Sequence, residues 1–306
     1  MSPRPRPDFF IVGAAKSGTT SLHDYLRQHP GIFMPAIKEL NYFGSDRPSR
    51  HSARLTLEEY LANFASAPAG VRIGEASVSY LRSTLAAREI AEFAPGAQTI
   101  VMLRNPVEVM QALHAELVFL GIEEIVDFGE ALAAEADRLE GRRIPPAINN
   151  PRGLLYREAV NFCEQLARYR QALGEERVHV IVFDDFKADT AASVAGTFRF
   201  LGVDNGFQPR LEVLNAAKTT RSRMLQRLVA SPPGWVRGTA RRLLPRTTRK
   251  QLYRAATRLN ARRQARAALD PALRARLIDD LRPEVERLGE MIGRDLGGWL
   301  LQPEAA

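Results

Sequence analysis

An apolar run, Phe9 to Val12, passes straight into a glycine-bounded turn and the start of a helix, and few folds accommodate that succession. From Phe9 to Leu22 the residues are Phe-Phe-Ile-Val-Gly-Ala-Ala-Lys-Ser-Gly-Thr-Thr-Ser-Leu. The apolar run suits a buried strand, and Gly13 to Gly18 set small side chains around one lysine, Lys16. Leu22, Tyr25 and Leu26 then recur at helical spacing until Pro30 excludes continuation. A helix beginning at Thr19 to Ser21 directs unpaired backbone N–H groups and the positive end of its dipole at the turn, so the stretch suits a phosphate or similar anion. It is not a Walker A loop: there the lysine directly follows the second glycine, whereas here Lys16 precedes Gly18.

Strand-like and helical patterns alternate along the rest of the chain. Val71 to Ser77, Thr99 to Leu103 and Val178 to Phe183 read as strands. Leu55 to Phe64, most of Val126 to Arg142, and Thr190 to Leu201 as far as Gly202 read as helices. Leu155, Ala159, Phe162, Leu166, Tyr169 and Leu173 step by four and three as one buried stripe, with Cys163 beside it as a core thiol. Asp270 and Pro271 open a final helix whose stripe is Leu273, Leu277, Leu281, Val285, Leu288 and Ile292 and which Gly293 ends. With 306 residues and 45% hydrophobic content the chain can bury a large core. The expectation is α/β: a single P-loop-like, doubly wound domain over residues 1–306, with a mainly parallel central sheet flanked by helices. Residues 1–7 form a tail, and about 208–306 a helical, basic C-terminal part packed on the core.

Several classes drop out. Met1 to Pro7 holds three prolines and no apolar core of a signal peptide, and no apolar stretch is long enough to cross a bilayer. Cys163 is the single cysteine, so no internal disulfide is available, which fits a reducing, cytoplasmic setting. His23, His29, His51 and His179 lack metal-ligand spacing, and no metal is expected. The net charge of +8 is concentrated between Lys218 and Arg276, either as a solvated helical face or as a surface for an anionic ligand.

Ala15 to Leu22 resembles the 5′-phosphosulfate loop of the sulfotransferases that use 3′-phosphoadenosine 5′-phosphosulfate. Lys38 and Glu39 resemble the Lys-Glu-x-His-Phe-Phe stretch of the carbohydrate and heparan-sulfate-type members, although Asn41 and Tyr42 stand where His and Phe are common. Glu75, Ser77 and Tyr80 match a Gly-Glu-x-(Ser/Thr)-Pro-x-Tyr-Leu segment, with Val78 in place of the proline. Arg104-Asn105-Pro106-Val107-Glu108 is similar to the family's second signature, and Ala112 stands where a serine is usual. Asp184-Asp185-Phe186 resembles the acidic-aromatic step that closes the family's last core strand, and the ending Gly293-Arg294-Asp295-Leu296 with Trp299 is similar to the family's and implies that Trp299 packs back on the core.

The resemblance implies that Ala15, Lys16, Ser17, Gly18, Thr19, Thr20 and Ser21 hold the 5′ end of the donor and that Arg104 holds its 3′-phosphate. Lys218 and Arg221 lie where related enzymes place a loop over the nucleotide. Glu39 is the implied general base toward an acceptor hydroxyl, with Lys16 stabilising the departing oxygen. Lys38, Glu75, Ser77 and His114 are placed on the acceptor side, Glu75 either as a second acid/base or substrate-orienting residue ranked below Glu39 or equally as a carboxylate fixing loop backbone, and His114 against the plainer reading of a satisfied helix-surface histidine. The expected activity is sulfuryl transfer to a hydroxyl, by analogy that of a carbohydrate or glycoconjugate. Two alternatives stay open: a P-loop-like nucleotide kinase or NTPase, and a non-catalytic binder of nucleic acid or an acidic membrane surface through the basic region. On the first reading no nucleic-acid partner is expected, and peripheral contact with an acidic membrane surface is left open.

Overall fold

The computed structural model describes residues 5–48, 53–212, 218–220, 261–263 and 268–301. Strand β1 (Phe9–Gly13) leads into α1 (Thr19–Arg27), followed by β2 (Ile32–Phe33), α2 (Leu57–Ala62), β3 (Arg72–Ala76), α3 (Ala86–Phe93) and β4 (Gln98–Leu103). Next come α4 (Pro106–Phe119), α5 (Phe128–Ala133), α6 (Glu135–Leu139), α7 (Phe162–Leu173), β5 (Val178–Val182), α8 (Phe183–Ala188) and α9 (Thr190–Leu201). Short strands β6 (Lys218–Thr220) and β7 (Ala261–Arg263) and the long helix α10 (Pro271–Ile292) follow. The chain divides into two compact units, one from residues 1–109, 158–214 and 275–306, the other from 110–157 and 215–274.

The first unit carries a five-stranded sheet in the order β2-β3-β1-β4-β5, every neighbouring pair parallel. β1 lies at its centre, and Phe9, Phe10, Ile11 and Val12 are wholly buried, as expected of a strand covered on both faces. Phe9 needs room beside β3, and Gly74 provides it: a Cβ there would lie 2.2 Å from the Phe9 ring and 2.3 Å from the Met34 sulfur. On one face Ile11, Leu22, Leu26, Ile100, Met102 and Phe198 pack into a single apolar cluster. From β1 the chain moves to β2 on one side, and from β4 it moves to β5 on the other. The carboxyl ends of β1 and β4 therefore form the switch point at which open α/β sheets hold ligands.

Local signals set most boundaries. Thr56 and Glu59 form a reciprocal capping box at the start of α2, and Asn105 Oδ1 accepts from the Val107 N–H at 3.0 Å at the start of α4. Helix α7 begins at Phe162, so Leu155 and Ala159 are buried ahead of it and not on the expected helical stripe. Asp184-Asp185-Phe186 opens α8 and does not close β5. Cys163 is buried on α7, and burial pushes its thiol up to about 12, in keeping with a packed core thiol. Trp299 packs back as expected: its Nε1–H donates to Asp184 Oδ2 at 2.6 Å, and its carbonyl accepts from Asn105 Nδ2 at 3.1 Å.

The second unit has its own polar centre. Arg138 donates through Nη2 to both Glu123 oxygens at 2.9 and 2.7 Å, and both side chains are fully buried. Tyr156 adds a hydroxyl donor to Glu123 at 2.7 Å. β6 and β7 pair antiparallel, Lys218 opposite Arg263, within a stretch read from its sequence as mainly helical. Among the described residues no helix is long and apolar enough to cross a membrane.

Candidate active site

The turn after β1 is built to present backbone donors. Ala14 N–H bonds the Met102 carbonyl at 2.8 Å, tying the turn to β4. Lys16 and Gly18 both take left-handed backbone conformations, with φ of 64° and 90°. Gly18 is the N-cap of α1 and offers no side chain to the first-turn N–H groups, which leaves them to an anionic ligand. A Cβ at Gly18 would also meet the Phe183 ring at 3.0 Å. Ser17 is fully buried within the turn, while Thr20 is exposed at the helix start.

Lys38 joins this turn to the loop after β2. Its Nζ donates to Thr20 Oγ1 at 3.2 Å and to Thr19 Oγ1 at 3.4 Å, and lies 3.8 Å from Glu39 Oε1. Glu39, also left-handed at φ 62°, is anchored by its N–H on the Ala76 carbonyl at 2.9 Å. Its Oε2 accepts from the Val78 N–H at 3.1 Å, and the side chain is 38% exposed. One carboxylate reachable from solvent thus stands beside an ammonium that touches the start of α1.

Arg104, at the end of β4, is more occupied than its spacing suggested. It donates through Nη1 to the Lys16 carbonyl at 3.0 Å and through Nε to Glu108 at 3.0 Å, and Nη2 makes a further bond to Glu108. Its guanidinium also lies 4.7 Å from the centre of the Phe183 ring. Arg104 therefore braces the glycine turn as well as carrying positive charge there. Phe183 and Glu108 are contributors that the sequence analysis missed; Glu108 had a signal in its i, i+4 spacing from Arg104, and Phe183 had none.

Glu75 and Ser77 are drawn inward. Both are buried, and Glu75 accepts from Ser77 Oγ, from Tyr80 OH at 2.8 Å and from Tyr60 OH at 3.2 Å. Burial pushes the Glu75 carboxyl up to about 7 against the lowering effect of those hydroxyls. His114 belongs to the second unit, buried with Nε2 2.9 Å from the Ile125 carbonyl and its ring against Phe128 and Tyr156. Burial lowers its pKa, so a neutral, packed histidine replaces the helix-surface one considered from sequence. Ala112 is buried on α4. Lys218 is described as backbone in β6, and Arg221 lies outside the described residues.

No protein-family model matches the sequence. The chain is 34% identical over 251 residues to carbohydrate sulfotransferase 15 of Mus musculus, covering 64% of this chain and 44% of that protein. It is 34% identical over 105 residues to the membrane-associated sulfotransferase kil1 of Dictyostelium discoideum, covering 33% of this chain and 21% of that one. It spans less than half the length of these curated relatives. The crystal structure of a sulfotransferase from Alicyclobacillus acidocaldarius superposes with a TM-score of 0.72 at 28% identity, over 96% of this chain and 99% of that chain.

Proposed function

For a chain similar to sulfotransferases in sequence and fold, we propose transfer of a sulfuryl group from 3′-phosphoadenosine 5′-phosphosulfate to an acceptor hydroxyl. The observation that carries this reading is Lys38, whose ammonium reaches both the hydroxyls at the start of α1 and the Glu39 carboxylate. The anion turn and the candidate base are thereby held within one side chain of each other. Such proximity is what a two-substrate displacement requires.

The donor supplies an activated sulfuryl group, and the protein's part is binding, alignment and proton management. The N–H groups of Thr19, Thr20 and Ser21, with Lys16, neutralise the 5′ side and the charge that grows on the departing oxygen. Arg104 supplies a guanidinium for the 3′-phosphate while its bond to the Lys16 carbonyl keeps the turn in register. Glu39 takes the acceptor proton; its partial exposure leaves it open to an incoming hydroxyl, and the Val78 N–H aims it. A carbohydrate or glycoconjugate acceptor is inferred from the similarity to carbohydrate sulfotransferase 15. Lys218 and Arg221 stay as proposed nucleotide contacts on the resemblance alone.

Calorimetric titration with adenosine 3′,5′-bisphosphate, ADP and AMP tests the donor. Clear preference for the bisphosphate supports the proposal. Equal affinity for ADP favours a nucleotide kinase or NTPase, and steeply salt-dependent binding of nucleic acid or anionic vesicles without nucleotide preference favours the non-catalytic reading. A mass-spectrometric screen of glycan acceptors for a sulfate-sized gain then tests the acceptor class.

A further inference from the structure

We propose that Glu75 is a positioning residue for Glu39, holding the Lys38–Phe43 loop in place through two hydroxyl relays. The inference rests on the assignment of Glu39 as base. Ser77 Oγ donates to Glu75 Oε1 and accepts from the Asn41 N–H at 3.1 Å. Tyr80 OH donates to Glu75 Oε2 at 2.8 Å and accepts from the Tyr42 N–H at 2.9 Å. Tyr60 OH is a further donor to Oε2 at 3.2 Å.

The direction of these bonds makes the ionised form specific. A hydroxyl has a single hydrogen, and committing it to the carboxylate turns the oxygen lone pairs toward the loop N–H groups. An ionised carboxylate only accepts, so it fixes both relays at once. A protonated acid or an amide must donate to one of the hydroxyls, whose own hydrogen is then left without its acceptor. The loop needs such support: Glu39 and Asn41 are both left-handed, at φ of 62° and 51°, and non-glycine residues leave that region unless their surroundings hold them there.

The titratable groups facing Glu75 are Tyr60 from α2, Tyr80 beside it in sequence, Glu39 from the loop and Tyr169 from α7. Burial and the Glu39 charge both raise the Glu75 carboxyl, to about 7. The relays are therefore complete above neutral pH and weaken below it.

The test compares Glu75→Gln and Tyr80→Phe with the parent protein by amide hydrogen exchange, by turnover against pH and by bisphosphate calorimetry. In Glu75→Gln the Asn41 and Tyr42 amides are expected to exchange about tenfold faster. Its kcat is expected to fall roughly 10- to 100-fold while bisphosphate affinity holds within about twofold. The acid limb near neutral pH in the parent profile should disappear in this variant. Tyr80→Phe removes one relay and keeps the carboxylate; it should speed exchange at Tyr42, and it stands in should Glu75→Gln not fold. Unchanged exchange at Asn41 and Tyr42 in both variants overturns the inference, as does an acid limb near neutral pH that persists in Glu75→Gln. Normal turnover in Glu39→Gln removes the base assignment by itself, and the exchange rates still decide whether Glu75 holds the loop.

Discussion

Lys16 and Glu39 share an uncommon property: each is a non-glycine residue with positive φ, in loops that follow different strands. Such backbones cost about 1–3 kcal/mol and cluster where geometry serves a purpose. Lys16→Ala is expected to lower kcat by roughly 10²- to 10³-fold and Glu39→Gln by roughly 10²- to 10⁴-fold, with circular dichroism and melting close to the parent. Gly18→Ala forces a side chain into φ 90° against the Phe183 ring, and bisphosphate affinity measured by calorimetry should fall at least about tenfold. Glu75 yields a pH signature. Its folded pKa, about 7, lies above the ordinary 4.5, so folding takes up a proton between those values. Its contribution to stability is full below 4.5 and is lost as pH rises through 7, by on the order of 3 kcal/mol. Denaturant midpoints at pH 5 and pH 8 should show that slope, and Glu75→Gln should flatten it. The strand, glycine turn and helix start were legible because all of their signal lies within Phe9 to Leu22. The Tyr60 and Val78 contacts were not, since one comes from a different helix and the other is a backbone N–H that carries no residue signature.

Among the elements, those with local punctuation were read correctly. Gly202 ends α9 and Gly293 follows α10, each where its backbone preference dictates. The start of α7 was misread because buried apolar residues at helical intervals do not require a helix: Leu155 and Ala159 are buried in irregular backbone and a short 3-10 turn. In the same way β6 and β7 lie in an arginine-rich stretch whose composition favours helix and carries no alternation. The turn of residues 297–300 after α10 is fastened by Trp299 to Asp184 and Asn105. Trp299→Phe keeps an aromatic ring but removes the indole N–H and part of the bicycle, and urea denaturation should show a loss of at least about 1–2 kcal/mol.

Taken whole, the chain invests in two polar centres of opposite character. In the second unit the Arg138–Glu123 pair is sealed from water and shared with Tyr156, so it organises structure. Arg138→Met leaves Glu123 buried without its cation and should cost about 3–5 kcal/mol in denaturant unfolding, whereas replacing both partners with apolar residues should cost less. In the first unit the charges of Lys16, Lys38, Glu39 and Arg104 gather at the carboxyl ends of the sheet, where ions can enter. Lys38 lies within reach of both the hydroxyls of α1 and the carboxylate of Glu39. On the proposed chemistry, a nucleotide that draws this ammonium toward itself loosens its contact with Glu39 before the acceptor arrives. The kinetics should then be ordered, nucleotide first, with Lys38 as the timer between the two arrivals.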